Sequence, residues 1–258
     1  MKLLRAVCVS FSMYSGIPVP QFPWKDDDMK YILCFFPWVG AVCGVCLYFW
    51  GLCCRSLGIG TVCYTMIGAA IPLFVTGGFH VDGFMDTMDA FHSWKPREEK
   101  LKILKDSHIG AFSVIMLASF GLLWLGAFSE LNDPKLLAAF CGGFVLSRCL
   151  SGIAVVSFPS AKSDGLLYTF ASGAQKTVVK ASLYLQGAAA ACFMISQAHA
   201  AGFAAVLTAL AIFGYYYRRC KKEFGGITGD TAGYFVCLSE ECMLLVIVFC
   251  GLIRREIL

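Results

Sequence analysis

The sequence predicts an all-α, polytopic integral membrane protein with about seven transmembrane helices. Hydrophobic residues make up 58% of the 258 positions, whereas charged residues make up only 15%. The mean hydropathy of +0.71 lies above the range that is usual for a soluble domain of this length. The apolar residues form long runs, each close to the ~20 residues with which a helix crosses ~30 Å of hydrocarbon. Together these features favour a single membrane-embedded domain over residues 1–258.

The predicted spans follow one another along the chain with short or medium connections. In order, the apolar runs cover residues 31–54, 59–76, 110–131, 136–158, 181–198, 200–217 and 233–253. Only Gln197-Ala198-His199 separates the fifth run from the sixth, so a tight turn is expected there. The first 20 residues contain no small-x-small cleavage site, which argues against a removed signal peptide. We expect them to form a helix at the membrane surface that ends at Pro18 and Pro20.

The basic residues predict the orientation of the spans. Lys and Arg number 16 in the N-terminal segment and the 77–109, 159–180 and 218–232 loops, against 4 in the intervening loops and the C-terminus. By the positive-inside rule the first group faces the cytoplasm, in the cell membrane. The net charge of +4 is spread over loops without interleaved aromatic residues, which argues against a nucleic-acid partner.

Three carboxylates stand out in the first long loop, in the segment DGFMDTMD. Asp82, Asp86 and Asp89 have the spacing i, i+4, i+7, which places them on one stripe of a helix about 5–6 Å apart. At an effective dielectric of about 20 each neighbouring pair repels by roughly 3 kcal/mol, so a cation on that face is expected. All-oxygen ligands suit Mg²⁺, which often shares its site with substrate phosphates. The alternative is an ordinary solvated acidic face.

His80 lies beside this stripe, and Gly77 and Gly78 precede it. The imidazole has three possible roles, namely orienting a carboxylate, carrying a proton or binding phosphate, and an interfacial side chain is the alternative. Neither HExxH nor a Cys/His spacing supports zinc. The 14 cysteines lie mostly in apolar runs, which favours buried thiols over disulfides.

Two further polar motifs precede apolar runs on the same predicted side. In KDSHIG, Asp106, Ser107 and His108 stand where free backbone N–H groups can hold an anion, although helix capping is the alternative. In GGITGDTAG, Asp230 and Thr231 follow a glycine-rich turn that permits close approach to a phosphate. This turn lacks the Lys-Ser/Thr pair of a P-loop.

Charges also occur within the apolar runs. Arg148 lies inside the fourth run, where an ionisable residue is a functional candidate whose partner is expected among the carboxylates. The alternative is an arginine that reaches toward the membrane surface. Glu240 and Glu241 in the seventh run raise the same question.

The three segments TGGFHVDGFMDTMD, KDSHIG and GGITGDTAG, in this order and spacing, resemble the adenosylcobinamide-GDP ribazoletransferase family, also called cobalamin-5′-phosphate synthase. The N-terminal IPVP and the loop Lys162-Ser-Asp-Gly165 also fit, so the resemblance covers essentially the whole chain. It implies a Mg²⁺-dependent membrane enzyme that joins adenosylcobinamide-GDP to α-ribazole, or to its 5′-phosphate, and releases GMP. The sequence departs from the family pattern at Gly16, Ala90 and His108, where a basic residue, Gly and Arg are frequent.

The resemblance also implies roles for individual residues. Metal ligands are expected at Asp82, Asp86, Asp89 and Asp230, and catalytic groups at Asp82, Asp86, Asp89 and His80. The general base is open among Asp89, His80 and Asp230. Substrate contacts are expected from Gly77, Gly78, Lys105, Asp106, Ser107, His108, Arg148, Lys162, Gly229 and Thr231. The lipid bilayer is a further partner, and a homo-oligomer is left open.

Two other classes remain as alternatives. CDP-alcohol phosphatidyltransferases also carry aspartates near a cytoplasmic membrane face, but the AR element of their signature is missing after Asp82-Gly83. A cation transporter would tend to place its charges near mid-membrane and in related halves. Here the main acidic cluster lies at a predicted surface and has no second copy.

Overall fold

The structure is a computed structural model that describes residues 2–22 and 29–257. Helices account for its regular elements within those ranges. In chain order they are α1 (Lys2–Tyr14), α2 (Ile32–Leu57), α3 (Thr61–Thr76), α4 (Phe79–His92), α5 (Arg97–Ile103), α6 (Ala111–Ser129), α7 (Pro134–Ser157), α8 (Leu166–Gly173), α9 (Lys176–Ala198), α10 (Ala200–Glu223) and α11 (Gly229–Ile257).

Six of the described helices, namely α2, α6, α7, α9, α10 and α11, are long and apolar enough to cross a membrane individually. The helices α3 and α4 meet this criterion only together, and they are bent by 93° relative to each other. The count is therefore six, or seven if the bent pair is one span, which confirms the predicted all-α polytopic architecture.

The bend between α3 and α4 depends on two consecutive glycines. Gly77 and Gly78 have φ angles of 65° and 78°, in the left-handed region that glycine adopts without a steric penalty. The Gly77 N–H closes α3 by donating to the carbonyl of Leu73. The helix α4 therefore runs nearly perpendicular to α3.

The helices α9 and α10 form a hairpin with a break at a single residue. His199 has φ 43° and ψ −111°, so the helix is interrupted there. A Cβ on Gly202 would overlap the backbone carbonyl of Met194, so the two helices approach closely just after the break. At the other end of the hairpin, Phe158 packs on Phe213 and Tyr217. The predicted tight turn between the fifth and sixth runs is confirmed.

The helix α7 forms the centre of the bundle. In its most apolar 18-residue stretch, 94% of the residues are buried. The helix contacts α2, α9, α10 and α11. Glycines allow close approach to its neighbours, as at Gly44 of α2, where a Cβ would lie 2.6 Å from the carbonyl oxygen of Cys141. The charged side chain of Arg148 is therefore held in the middle of the protein.

The three longer loops meet at one end of the bundle, as the distribution of basic residues predicts. Ser160 and Ile227 form an isolated parallel β-bridge between the second and third of these loops. Lys100 Nζ lies 2.5 Å from Glu223 Oε2, which joins the first loop to the end of α10. Residues 77–109, 159–180 and 218–232 thus build one polar face.

The N-terminal helix ends earlier than the sequence suggests. The helix α1 stops at Tyr14, four residues before Pro18, and residues 15–22 are not helical. The Gly16 N–H donates to the Val75 carbonyl at 2.9 Å, which ties this segment to the end of α3. The Tyr14 ring packs on Phe36 of α2, so α1 is attached to the bundle beside α4.

Candidate active site

The backbone of the acidic helix α4 lies in close contact with the backbone of the first turns of α11. A Cβ on Gly83 would lie 2.7 Å from the carbonyl oxygen of Asp230 and 2.9 Å from its Cα. A Cβ on Gly233 would lie 3.0 Å from the carbonyl oxygen of His80. Because these glycines bring the two backbones together, Asp82 of the first motif and Asp230 of the last motif share one cleft.

This carboxylate cleft has a volume of about 290 Å³ and opens on the polar face. The loop after α5, the loop before α8 and the start of α11 contribute its walls together with α4. Its polar lining comprises Asp82, Lys105, Ser160, Lys162, Asp164, Thr228 and Asp230, with Phe79, Gly83, Leu104, Gly165, Leu167, Ile227 and Gly229 completing the walls. Carboxylates and ammonium groups therefore line the same space, as the binding of a metal-complexed phosphate requires.

The pKa of Asp86 is raised by its surroundings at the cleft. Burial, followed by the charges of Asp82, Asp230 and Asp89, raises the pKa of Asp86 to about 6. Burial and the neighbouring carboxylates therefore both disfavour the ionised form of Asp86. A cation bound beside it would favour that form.

The donor set of the cleft fits Mg²⁺. No group of three His, Cys, Asp or Glu side chains is arranged as a closed metal site within the described residues. Mg²⁺, however, is commonly held by only one or two carboxylates and completes its shell with waters and substrate phosphate. Asp82 and Asp230, facing each other in an open cleft with Asp86 nearby, have this character.

Asp89 has a different environment from the other two carboxylates of the stripe. Its Oδ2 accepts a hydrogen bond from Gly110 N at 2.7 Å, and its Oδ1 accepts one from Ser113 N at 2.9 Å. Both oxygens are therefore engaged with the first turn of α6, where a carboxylate stabilises free N–H groups and the helix dipole. The anion position predicted at this helix terminus is occupied by Asp89 itself.

Two lysines face the carboxylates of the cleft. Burial and the neighbouring charge of Lys105 lower the pKa of Lys162, while Asp230 and Asp164 oppose that effect. Lys105 Nζ lies 3.4 Å from Asp164 Oδ2 in an exposed ion pair at the rim. Such exposed pairs contribute little stability and exchange readily, so both ammonium groups are available to an anionic ligand.

The GGITGDTAG turn is rigid because it caps its own helix. Thr228 N donates to Thr231 Oγ1 at 2.8 Å, and Thr231 N donates in return to Thr228 Oγ1 at 3.2 Å. This reciprocal pair resembles a capping box, and Thr231 is fully buried. Gly229 and Asp230 line the cleft. Thr231 does not, and it stabilises the turn through its hydrogen bonds with Thr228.

Several predicted site residues lie outside the carboxylate cleft. Asp106 and His108 pair with each other, with 2.6 Å between Asp106 Oδ1 and His108 Nδ1, and the His108 side chain is exposed. That contact lowers the pKa of Asp106. The lining of the cleft does not include Gly77, Gly78, His80, Asp86, Asp89, Asp106, Ser107, His108, Arg148 or Thr231. The two glycines form the α3–α4 bend, and the side chains of Asp106, Ser107 and His108 are exposed.

Arg148 is 1% exposed, and its partner is a carboxylate, as predicted. Its Nη1 donates to Glu240 Oε1, to Ser147 Oγ at 3.1 Å and to the Phe144 carbonyl at 3.0 Å. This buried pair lines a second cavity of about 310 Å³ between α3, α4, α6, α7 and α11, and His80 and Val81 of α4 also line it. Arg148 does not line the carboxylate cleft. The neighbouring Glu241 is also buried.

His80 is buried between aromatic rings. It is 4% exposed, and its ring lies 5.8 Å from Phe36 and 5.6 Å from Phe79. Burial, assisted by the charge of Arg148, lowers the pKa of His80 well below 6.5, so the imidazole is neutral. Neither ring nitrogen has a hydrogen-bond partner in the part of the chain that the structure describes.

Sequence reasoning missed the residues that assemble the cleft. Gly83 and Gly233 set the approach of α4 to α11, and Asp164 and Phe79 line the cleft. The adjacency of Gly83 to Asp82 was the available signal, because a glycine inside a helix frequently marks close packing.

The chain is similar to proteins of one family over most of its length. A family described as "Cobalamin-5-phosphate synthase" matches residues 6–248. The "Adenosylcobinamide-GDP ribazoletransferase" of Lachnoclostridium phytofermentans is 39% identical over 96% of this chain and 95% of that protein. Proteins of the same name from Clostridium perfringens and Mesorhizobium japonicum are 30% and 28% identical, over 94% and 95% of this chain and 97% and 93% of their own lengths. No solved structure matches.

Proposed function

Because this chain belongs to the cobalamin-5-phosphate synthase family, we propose that it joins adenosylcobinamide-GDP to α-ribazole, or to its 5′-phosphate, and releases GMP. The product would be the cobalamin or its 5′-phosphate, in the last step of cobalamin assembly. The observation that carries this proposal is the meeting of Asp82 and Asp230, from two distant motifs, in a cleft that also contains Lys105 and Lys162.

The carboxylates would bind Mg²⁺ and, through it, the diphosphate of the donor. Asp82 and Asp230 are the ligands that line the cleft, and Asp86 is the adjacent group whose raised pKa reports their combined charge. When bound, Mg²⁺ neutralises charge on the diphosphate and makes GMP a better leaving group. Asp89 would act indirectly, by fixing α6 to α4.

The lysines would hold the phosphate oxygens that the metal leaves free. Lys162 is partly buried beside Asp230, so its ammonium group is already directed to the interior of the cleft. Lys105 would exchange its exposed contact with Asp164 for a contact with the donor. The two lysines thereby orient the phosphorus attached to the corrinoid side chain toward the acceptor hydroxyl.

Asp230 is the proton acceptor that the geometry favours. Of the three candidates, Asp89 uses both oxygens to cap α6, and His80 does not line the cleft. Asp230 Oδ2 accepts a hydrogen bond from Thr228 Oγ1 at 3.3 Å. Its Oδ1 would take the proton of the attacking ribazole hydroxyl.

The polar face would lie on the cytoplasmic side of the cell membrane, with residues 1–258 forming one domain in the lipid bilayer. The basic residues of this face support that orientation under the positive-inside rule. Inside-out vesicles should then release GMP from added substrates, whereas sealed right-side-out vesicles should not. Equal release by both preparations would contradict the orientation.

The activity itself is tested with purified protein in detergent or nanodiscs. GMP and the joined corrinoid product should appear in equal amounts only when adenosylcobinamide-GDP, α-ribazole and Mg²⁺ are all present. Absence of both products would refute the proposal. Release of CMP from a CDP-activated lipid, or ion flux without GMP release, would instead favour one of the two alternative classes.

A further inference from the structure

We propose that a small aromatic pocket beside the carboxylate cleft receives the planar base of the nucleoside acceptor, an inference that rests on the proposed function. The pocket lies between α1, α2, α4, α8 and the ends of α7 and α11. Its aromatic walls are Tyr14, Phe36, Phe79 and Phe170, and His80 lines both this pocket and the second cavity.

The position of this aromatic pocket suits an acceptor that must react in the cleft. Phe79, Leu167 and Gly229 line both spaces, so the two are separated by a wall one side chain thick. A nucleoside whose base occupies the pocket would extend its ribose into the cleft. Its hydroxyl would then lie near Asp82 and Asp230, where the activated phosphorus is expected.

The rings of the pocket pack against one another at tilted angles, so a base would stack on a ring face only after the pocket opens. The Tyr14 and Phe36 ring centroids are 4.4 Å apart, and Tyr14 lies 6.3 Å from Phe170. Flat apolar surfaces of this kind bind a planar heterocycle through stacking and burial, largely independently of its substituents. The lining of the carboxylate cleft, by contrast, includes a single aromatic side chain, Phe79.

His80 supplies the polar contact that a heterocyclic base requires. Buried polar groups almost always have a hydrogen-bond partner, yet neither nitrogen of this buried ring has one among the residues described. An imidazole ring offers at least one N–H donor. A ring nitrogen of an aromatic base is complementary to that N–H, so the missing partner of His80 is assigned to the ligand.

The helix α8 forms the outer wall of the pocket and must move to admit a base. The pocket has a volume of about 60 Å³, which accommodates water but is smaller than the ~300 Å³ or more of typical ligand sites. The helix has eight residues and follows Gly165, whose φ of 91° is accessible to glycine. Rotation of α8 about Gly165 would withdraw Leu167 and Phe170 and enlarge the space.

Three Phe→Ala variants locate the base. Phe170 borders the aromatic pocket, Phe120 borders the second cavity next to Arg148, and Phe74 is 79% exposed on the outer surface of α3. Phe170→Ala should raise the KM for α-ribazole by about tenfold or more, within the range expected for loss of one stacking partner. The KM for adenosylcobinamide-GDP should change less than about twofold, and Phe74→Ala and Phe120→Ala should leave both constants unchanged.

A second variant tests the imidazole separately. His80→Phe keeps a flat ring and removes both nitrogens, so the KM for α-ribazole should rise about fivefold or more while kcat at saturating acceptor is retained. A purely structural role of His80 would lower kcat and the yield of folded protein, with the acceptor KM unchanged. That result would overturn the assignment of the ligand to His80.

The remaining outcomes are also decisive. An unchanged acceptor KM in Phe170→Ala, or a larger effect of Phe120→Ala, would place the base elsewhere and refute the pocket. If the wild-type protein releases no GMP, the proposed function fails, and the pocket is tested by equilibrium dialysis of α-ribazole against the same variants. Absence of α-ribazole binding by the wild type in that measurement would refute the inference.

Discussion

Replacing Gly83 with alanine tests whether the contact between α4 and α11 builds the active site. The added Cβ would lie 2.7 Å, 2.9 Å and 3.2 Å from the carbonyl oxygen, Cα and carbonyl carbon of Asp230. Ordinary van der Waals contact begins at 3.4 Å, so the two helices must separate by about 3.4 − 2.7 = 0.7 Å. All three contacts are with backbone, so no side chain can move aside to relieve the overlap.

A displacement of this size should mainly affect catalysis. Misplacement of reacting groups by ~1 Å costs about 100-fold in rate, so Gly83→Ala should lower kcat by about 10-fold to 100-fold. The assay is Mg²⁺-dependent GMP release by purified protein, with Gly126→Ala as the matched control, because nothing lies within 4 Å of a Cβ at Gly126. Alanine in a helix is otherwise favoured over glycine by ~1 kcal/mol, so both variants should fold. A wild-type kcat in Gly83→Ala would refute the reasoning.

Three further predictions concern individual charges. The pKa of about 6 at Asp86 predicts that the Mg²⁺ concentration for half-maximal activity is constant above pH 7 and rises as the pH falls below 6, because a protonated Asp86 no longer adds negative charge beside the ligands Asp82 and Asp230. Asp86→Asn should remove this pH dependence, and an unchanged profile would contradict it. Asp89→Ala removes two hydrogen bonds to the first turn of α6, so it should lower the free energy of unfolding by about 1–2 kcal/mol. The Mg²⁺ affinity, measured by calorimetry, should stay unchanged. Weaker Mg²⁺ binding by this variant would instead indicate that Asp89 is a ligand. Arg148→Met leaves Glu240 buried without its partner and should cost about 3–5 kcal/mol in denaturant unfolding, whereas the double variant Arg148→Met/Glu240→Met should recover most of that stability. Failure of the double variant to recover would indicate that the pair does more than neutralise charge.

The sequence predicts the helices well because hydrophobic length is a local property. Apolar runs long enough to cross a membrane identify the spans, and the break at His199 follows from the length of the combined run. The 93° bend after α3 was not predicted, since it depends on the left-handed conformation of Gly77 and Gly78. The end of α1 at Tyr14 was also not predicted. A proline sets the furthest position that a helix can reach, and the helix can end several residues before it.

The candidate site was predicted in composition but not in detail. Spacing identifies Asp82 and Asp86 as neighbours on one helix face, yet it gives no sign that Asp89 is directed to the N-terminus of α6. The contact of Asp82 with the distant Asp230 motif depends on backbone packing at Gly83. Pairings between distant segments of this kind are a property of the folded chain, so composition and local periodicity do not reveal them.

The most direct test of the account is the rate of GMP formation by purified Asp230→Asn protein. The matched control is Glu98→Gln, which neutralises an exposed carboxylate on α5, away from the cleft. The account predicts that Asp230→Asn loses about 100-fold or more of the Mg²⁺-dependent rate, whereas Glu98→Gln retains the wild-type rate. A wild-type rate in Asp230→Asn, with an unchanged requirement for Mg²⁺, would contradict the claim that α4 and α11 together form the active site.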